Sequence, residues 1–235
     1  MEWVGKDDNM SLPKITDFEV KGKRKQEIVV LLDGEPWWTF DPETVVKCSL
    51  KRGMALSEEA QARLIGADQA LRARRAGAGY CARGGRTRRE LQRYLKEKKY
   101  PAAAVESAIE ALLASGTLDE MRTTIGAIRK RRKAGQGPRR IEAELIARGI
   151  APKEAKGRLA DALEGVDLQQ ECEAAARKAG GRYKPLSDAA QRLKLTQFLL
   201  RRGYEGDMVT RVVAVLRKER GVRGREIQEE IEGPD

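Results

Sequence analysis

Histidine does not occur anywhere in the 235 residues. Its absence removes the commonest general base and the commonest metal ligand, and no serine or cysteine has a partner that would activate it as a nucleophile. Cysteine is scarce. Cys48, Cys81 and Cys172 are odd in number, far apart and outside any C-x-x-C pair, which argues against a disulfide framework or a zinc site and for a reducing compartment. Aromatics are few as well, with three Phe, five Tyr and three Trp in a chain that is 40% hydrophobic and 35% charged. Several small helical cores fit that composition better than one thick one. No apolar run approaches the ~18 residues of a membrane span and no signal peptide opens the chain, so a cytoplasmic protein without a membrane partner is expected. No G-x-x-x-x-G-K-[S/T] occurs, which excludes a P-loop. No enzyme activity and no cofactor is expected.

What the chain has is a repeat and a local excess of positive charge. Aligning Tyr204 with Ile150 and Tyr100 brings Leu199, Leu145 and Leu95 into register five residues earlier, and Arg202, Arg148 and Lys98 two residues earlier. Val209, Val105 and Ala155 follow at the fifth position, Val213, Ile109 and Leu159 at the ninth, and Leu216, Leu112 and Ala162 at the twelfth. That is one apolar helical face. The units recur 50 and then 54 residues apart, room for three short helices each, a period of helical arrays.

Taken in order, residues 1–13 are polar, aperiodic and expected to be disordered. Extended runs follow at Ile15 to Val20, Ile28 to Leu32 and Trp37 to Phe40. Gly22 to Lys25 and Asp33-Gly34 form the turns between them; Asp-Gly is a strong hairpin signal because both central positions need positive φ. Asp41-Pro42 starts a short helix, and Ser57 caps a helix expected to run to about Arg75. Thr87-Arg88-Arg89-Glu90 reads as a capping box. Pro101, Pro138 and Pro152 open helices, and Asp167 caps one. In the third repeat the middle helix is placed after Pro185 and Ser187, and the last from about Asp207 to Arg220. The expected division is a disordered start (1–13), a β-rich element (14–56), repeats at 57–116, 117–166 and 167–220, and a charged, fraying tail (221–235). The fold class is mainly α: three tandem three-helix repeats forming an elongated array after a small antiparallel β element.

The net charge of +11 is unevenly placed. Residues 71–99 hold eleven basic against two acidic residues, and residues 121–148 hold nine against two, so the remainder is net acidic. A local basic surface points to a polyanion, most plausibly nucleic acid, or to an acidic protein groove. The run Arg129, Lys130, Arg131, Arg132 and Lys133 covers every face of a helix, and Arg132 continues the apolar spacing of Ile125 and Ile128. With Arg139 and Arg140 after the Gly-Gln-Gly turn, these charges are expected on one solvated ridge, without interleaved acids, as the binding residues. Arg88, Arg89, Arg201 and Arg202 form a second set. Other signals weigh less. Gly77-x-Gly79-x-x-Ala82 matches a dinucleotide fingerprint but follows an Arg-rich helical run instead of a strand. Asp119 with Glu120 is a better helix start than a magnesium site. Trp37 and Trp38 should point to opposite faces of their strand, one ring in the core and the other exposed.

Gly137-Pro138-Arg139-Arg140-Ile141-x-x-Glu144-Leu145, preceded by Gly116-x-Leu118-Asp119-Glu120 and followed by Phe198-Leu199-x-Arg201-Arg202-Gly203-Tyr204, resembles the RecX family of bacterial recombinase regulators. The tandem triplets and the strands ending in Leu32-Asp33-Gly34-Glu35 extend the likeness over residues 14–218. The resemblance implies a protein that binds the RecA recombinase, occupies the groove of its filament on single-stranded DNA, and inhibits ATP hydrolysis and strand exchange; because each repeat mainly contacts its neighbours, a monomer is expected. DNA repair, homologous recombination and the SOS response are its setting. Two departures stand out. Thr123 and Ala127 replace aromatics on the first helix of the second repeat, weakening its packing. Gly77-Ala78-Gly79-Tyr80-Cys81 interrupts the first helix of the first repeat, at ~1 kcal/mol per interior glycine, so a break is expected between Gly77 and Gly85. A helical nucleic-acid-binding protein unrelated to recombination is the alternative, and a nuclease using scattered carboxylates a distant third.

Overall fold

A computed structural model describes residues 12–22, 27–181 and 188–232. The chain divides after Leu118 into two compact units.

In the first unit, β1 (Ile15–Lys21), β2 (Glu27–Leu32) and β3 (Glu35–Phe40) form an antiparallel sheet in the order β1-β2-β3. The hairpin between β2 and β3 turns on Asp33 and Gly34, both at positive φ (49° and 91°), as an Asp-Gly turn of this type requires. Helix α1 (Pro42–Lys47) starts on an Asp41 cap. Val30, Phe40, Ile15, Leu50 and Leu56 make the small core beneath the sheet. Both tryptophans are half-buried on it, Trp37 and Trp38 lying 5.3 and 6.5 Å from the Phe40 ring. The expected exposed ring is therefore not found: the register shifts between Val30 and Leu31, opposite Trp38 and Pro36, and this irregularity breaks the strict alternation of faces.

Helix α2 (Glu58–Ala82) is capped by Ser57 and runs through the stretch expected to break. Gly77 is the reason. It is buried, and a Cβ there would lie 2.8 Å from Leu112 Cδ1 and 3.2 Å from Leu91 Cδ1. The glycine lets α2 approach α3 (Arg88–Glu97) and α4 (Ala102–Ala114) closely, and the buried area gained outweighs ~1 kcal/mol of lost helix propensity. The dinucleotide-like motif is thus the C-terminal end of a packed helix. Thr87 and Glu90 complete the capping box, the Glu90 amide donating to the Thr87 hydroxyl at 3.1 Å and the Thr87 amide to the Glu90 carboxylate at 2.9 Å. Asp68 on α2 is buried and ties the sheet to the helices. It accepts from the Asp41 amide (2.8 Å), Thr44 Oγ1 (2.9 Å), Arg72 Nε (2.7 Å) and Trp38 Nε1 (3.4 Å).

The second unit holds two triplets: α5 (Glu120–Lys133), α6 (Pro138–Ala147) and α7 (Pro152–Leu163), then α8 (Leu168–Gly180), α9 (Asp188–Arg201) and α10 (Gly206–Glu232). Asp119 and Asp167 cap α5 and α8. Leu118, two residues before α5, packs in the core of the first unit. Helix α10 continues past Arg220 to Glu232; Gly221 and Gly224 weaken it, but no proline stops it before Pro234. Pro185 and Ser187 lie outside the described residues, as do residues 1–11.

The repeat signature has a local cause. Each middle helix ends with a residue at positive φ, namely Lys99 (62°), Gly149 (96°) and Gly203 (87°). The next amide then bonds back to the carbonyl five residues earlier, Tyr100 to Leu95, Ile150 to Leu145 and Tyr204 to Leu199. This is a Schellman termination, which brings the residue after the turn onto the last apolar residue of the helix. Leu95, Leu145 and Leu199 are all buried, as are Val105, Ala155 and Val209 on the following helices. The aligned apolar face is the core of each triplet.

Candidate functional site

The basic run closes α5, where four cations face the negative end of the helix dipole. The structure distributes them unequally. Arg131 is half-buried and grips Glu144 of α6, Nε and Nη2 lying 2.8 and 2.5 Å from Oε1. Arg132, at the apolar position of its helix, turns inward. Its Nη2 is 2.5 Å from Glu171 Oε1 on α8, and Nη1 donates to the Ala162 carbonyl at 3.3 Å. The stem covers apolar surface while the head meets a carboxylate, so a charge sits on the inner face without being orphaned. Arg139 has Glu205 at 3.6 Å, both exposed, and a pair of that kind is worth little. Arg140 donates to the Arg201 carbonyl at 3.2 Å.

Arg129, Lys130 and Lys133 are exposed and have no carboxylate partner among the described residues. Arg201 is exposed; Arg202 is half-buried, donates to the Ala134 carbonyl and stacks over the Phe198 ring at 4.9 Å. Arg88 and Arg89 are exposed on α3 in the other unit, Arg88 reaching Glu106 at 3.1 Å. One solvated ridge of free charge is thus not what forms. Part of the run holds the triplets together and part is left facing outward.

The outward part borders a cavity of about 390 Å³ between the end of α5, α8 and α9. Ala134, Ala174, Ala175 and Ala179 line it beside Phe198 and Arg202, and the exposed cations Arg129, Lys133 and Lys178 line it as well. Lys178 and Glu171 carry no local signal in the sequence, and Phe198 is marked only as part of the family motif. They meet α5 only through the docking of the third triplet on the second.

That docking is backbone against backbone. The Gly137 amide donates to the Arg202 carbonyl at 2.7 Å, and the Arg139 amide to the Gly203 carbonyl at 3.1 Å. A Cβ at Gly137 would lie 2.6 Å from the Gly203 carbonyl carbon and oxygen, and one at Gly203 would lie 2.6 Å from Arg140 Cβ. Only glycine fits at either point. Beneath the joint, burial pushes the Tyr204 hydroxyl up to about 12 and the Cys172 thiol up to about 11. Both side chains are neutral at physiological pH. Asp119 is occupied as a cap, accepting from the Arg122 amide at 2.8 Å. Among the described residues no group of three or more metal-binding side chains occurs, and no helix is long and apolar enough to cross a membrane.

Comparison with known proteins decides the family. The profile of the third three-helix domain of RecX matches residues 167–213, and that of the first matches residues 73–112. The regulatory protein RecX of Ectopseudomonas mendocina (strain ymp) is 35% identical over 147 residues, which cover 62% of this chain and 95% of that protein. The chain belongs to the RecX family. RecX of Levilactobacillus brevis is 26% identical over 206 residues, covering 86% of this chain and 76% of the relative. A crystal structure of regulatory protein RecX shares the fold with a TM-score of 0.66 at 22% identity, over 86% of this chain and 98% of that one. RecX from Lactobacillus salivarius aligns at 0.56 over 64% of this chain and 97% of its own length. The matched domains are the first and third triplets described above, so the site lies on a RecX scaffold, at the junction of its second and third three-helix units.

Proposed function

We propose that this RecX-family protein binds the RecA filament on single-stranded DNA, lies in its groove, and inhibits ATP hydrolysis and strand exchange. Membership of the family, with 76% to 95% of the length of the two relatives compared above covered, is the observation that carries the reading. The surface is in keeping with it. Arg129, Lys130, Lys133 and Lys178 are exposed cations without carboxylate partners among the described residues, and such charges meet phosphates or acidic protein surface at low desolvation cost. Inhibition then needs no chemistry from this chain. A ligand that fits one state of a filament better than another shifts the balance by that difference in affinity. In a RecA ATPase assay on single-stranded DNA, the purified protein lowers the rate as its concentration approaches that of RecA. An unchanged rate at stoichiometric concentration of folded protein refutes the proposal.

A further inference from the structure

We infer that the cavity between α5, α8 and α9 is a nucleotide subsite, taking one base of a single-stranded nucleic acid with its phosphates on the surrounding cations. Three features of the cavity combine. Its volume of about 390 Å³ falls within the roughly 300–1,000 Å³ of small-molecule pockets. Ala134, Ala174, Ala175 and Ala179 give it apolar lining, and beside them the Arg202 guanidinium lies over the Phe198 ring, 4.9 Å from its centre. Planar bases stack on aromatic rings and on guanidinium planes, a contact that a carboxylate side chain does not make.

Exposed cations supply the charge. Arg132, which also lines the cavity, is neutralised by Glu171. Arg129, Lys133 and Lys178 have no carboxylate partner among the described residues, and they stand where the phosphates on either side of a seated base would pass. Charge complementarity thus selects a polyanion, and the ring with its guanidinium selects one that carries bases. Reading the base by stacking implies little preference among sequences.

The inference rests on the proposal that single-stranded DNA is among the ligands, and its test is separable from it. Fluorescein-labelled oligothymidine and an abasic strand of equal length are titrated with the whole protein and followed by anisotropy. The intact strand binds about five- to a hundred-fold more tightly than the abasic one, the range that stacking of a base carries. Ala174→Trp fills the cavity from its exposed side without changing charge, and brings the two strands to equal affinity. Lys133→Gln with Lys178→Gln weakens both strands alike and flattens their salt dependence, since only the neutralisation of phosphates is removed. Equal binding of the two strands by the unaltered protein overturns the subsite, and needs no variant that might misfold. Displacement of the oligonucleotide by oligoglutamate at equal charge, with no discrimination against the abasic strand, also overturns it, in favour of an acidic protein ligand. RecA ATPase inhibition is measured beside it. Inhibition retained by Ala174→Trp with base discrimination abolished supports the subsite and leaves the filament reading to other surfaces.

Discussion

Replacing Gly203 by alanine tests the joint on which the site depends. Gly203 does two things at once. At φ 87° it ends α9 in the left-handed conformation, and its missing side chain lets the turn lie against Arg140 and Gly137. An alanine there is strained by about 1–2 kcal/mol before any contact is considered. Its Cβ would also lie 2.6 Å from Arg140 Cβ, too close for any real pair. Relief comes only by moving the turn away, which stretches the bonds from the Gly137 amide to the Arg202 carbonyl and from the Arg139 amide to the Gly203 carbonyl, 2.7 and 3.1 Å long. Each is worth about 0.5–1.5 kcal/mol. The total is about 2–5 kcal/mol, a large part of the ~5–15 kcal/mol that holds a typical domain together. Urea unfolding followed by circular dichroism reads the loss, and hydrogen exchange at the Gly137 and Arg139 amides locates it. Gly157→Ala is the control: it lies inside α7 with open space around it, so the same substitution stabilises by up to about 1 kcal/mol. If Gly203→Ala unfolds at the wild-type midpoint with both amides still protected, the two triplets are not held by this joint.

Four further outcomes follow from the same geometry. Lys99→Gly relieves a left-handed lysine at φ 62° in the first triplet, and raises the urea midpoint by the equivalent of about 1 kcal/mol. Asp68→Ala leaves Arg72, Thr44 and the Asp41 amide without their buried acceptor, and destabilises the first unit by about 3–5 kcal/mol, with the Trp38 fluorescence as reporter. Arg132→Ala leaves Glu171 half-buried and unpaired and lowers stability, whereas Arg129→Ala and Lys133→Ala leave the urea midpoint within ~0.5 kcal/mol of wild type. Cys172 and Tyr204 are neutral in the fold and ionise more readily once unfolded; the stability they contribute is full below about pH 9 and falls as pH climbs toward about 11 and 12, which urea midpoints between pH 7 and 11 measure.

The parts of this fold that are legible in the sequence are those whose causes are local. Helix starts at Ser57, Thr87, Asp119 and Asp167 are set by a side chain reaching its own first turn. The threefold register is readable because a Schellman turn forces Leu95, Leu145 and Leu199 onto the residue five positions on, a constraint inside a single turn of chain. Gly77 misleads for the opposite reason. Its propensity is a property of α2 alone, but its value lies in Leu91 and Leu112, which come from two other helices. Tertiary packing overrides a local preference worth about 1 kcal/mol, as burial routinely does.

The basic run shows the same division within one helix. A long stretch without an interleaved acid suggests a surface of uncompensated charge, since sequence distance is all that charge patterning measures. Folding supplies the missing carboxylates from elsewhere, Glu144 thirteen residues on and Glu171 thirty-nine residues on. They go to Arg131 and Arg132, the two whose positions face the neighbouring helices, and leave Arg129, Lys130 and Lys133 without such partners among the described residues. Partition of this kind follows from desolvation: a charge turned toward the core must be paired, and one turned outward need not be. A variant lacking all of Arg129, Arg131, Arg132, Arg139 and Arg140 therefore confounds two effects, weakened binding and a loosened junction. Arg129, Lys133 and Lys178 replaced together isolate the first. The expected outcome is wild-type helical content and a wild-type urea midpoint, with RecA inhibition weakened and the salt dependence of oligonucleotide binding reduced by about 0.7 in log–log slope for each phosphate no longer neutralised. Inhibition unchanged at the wild-type concentration would show that these cations serve only solubility.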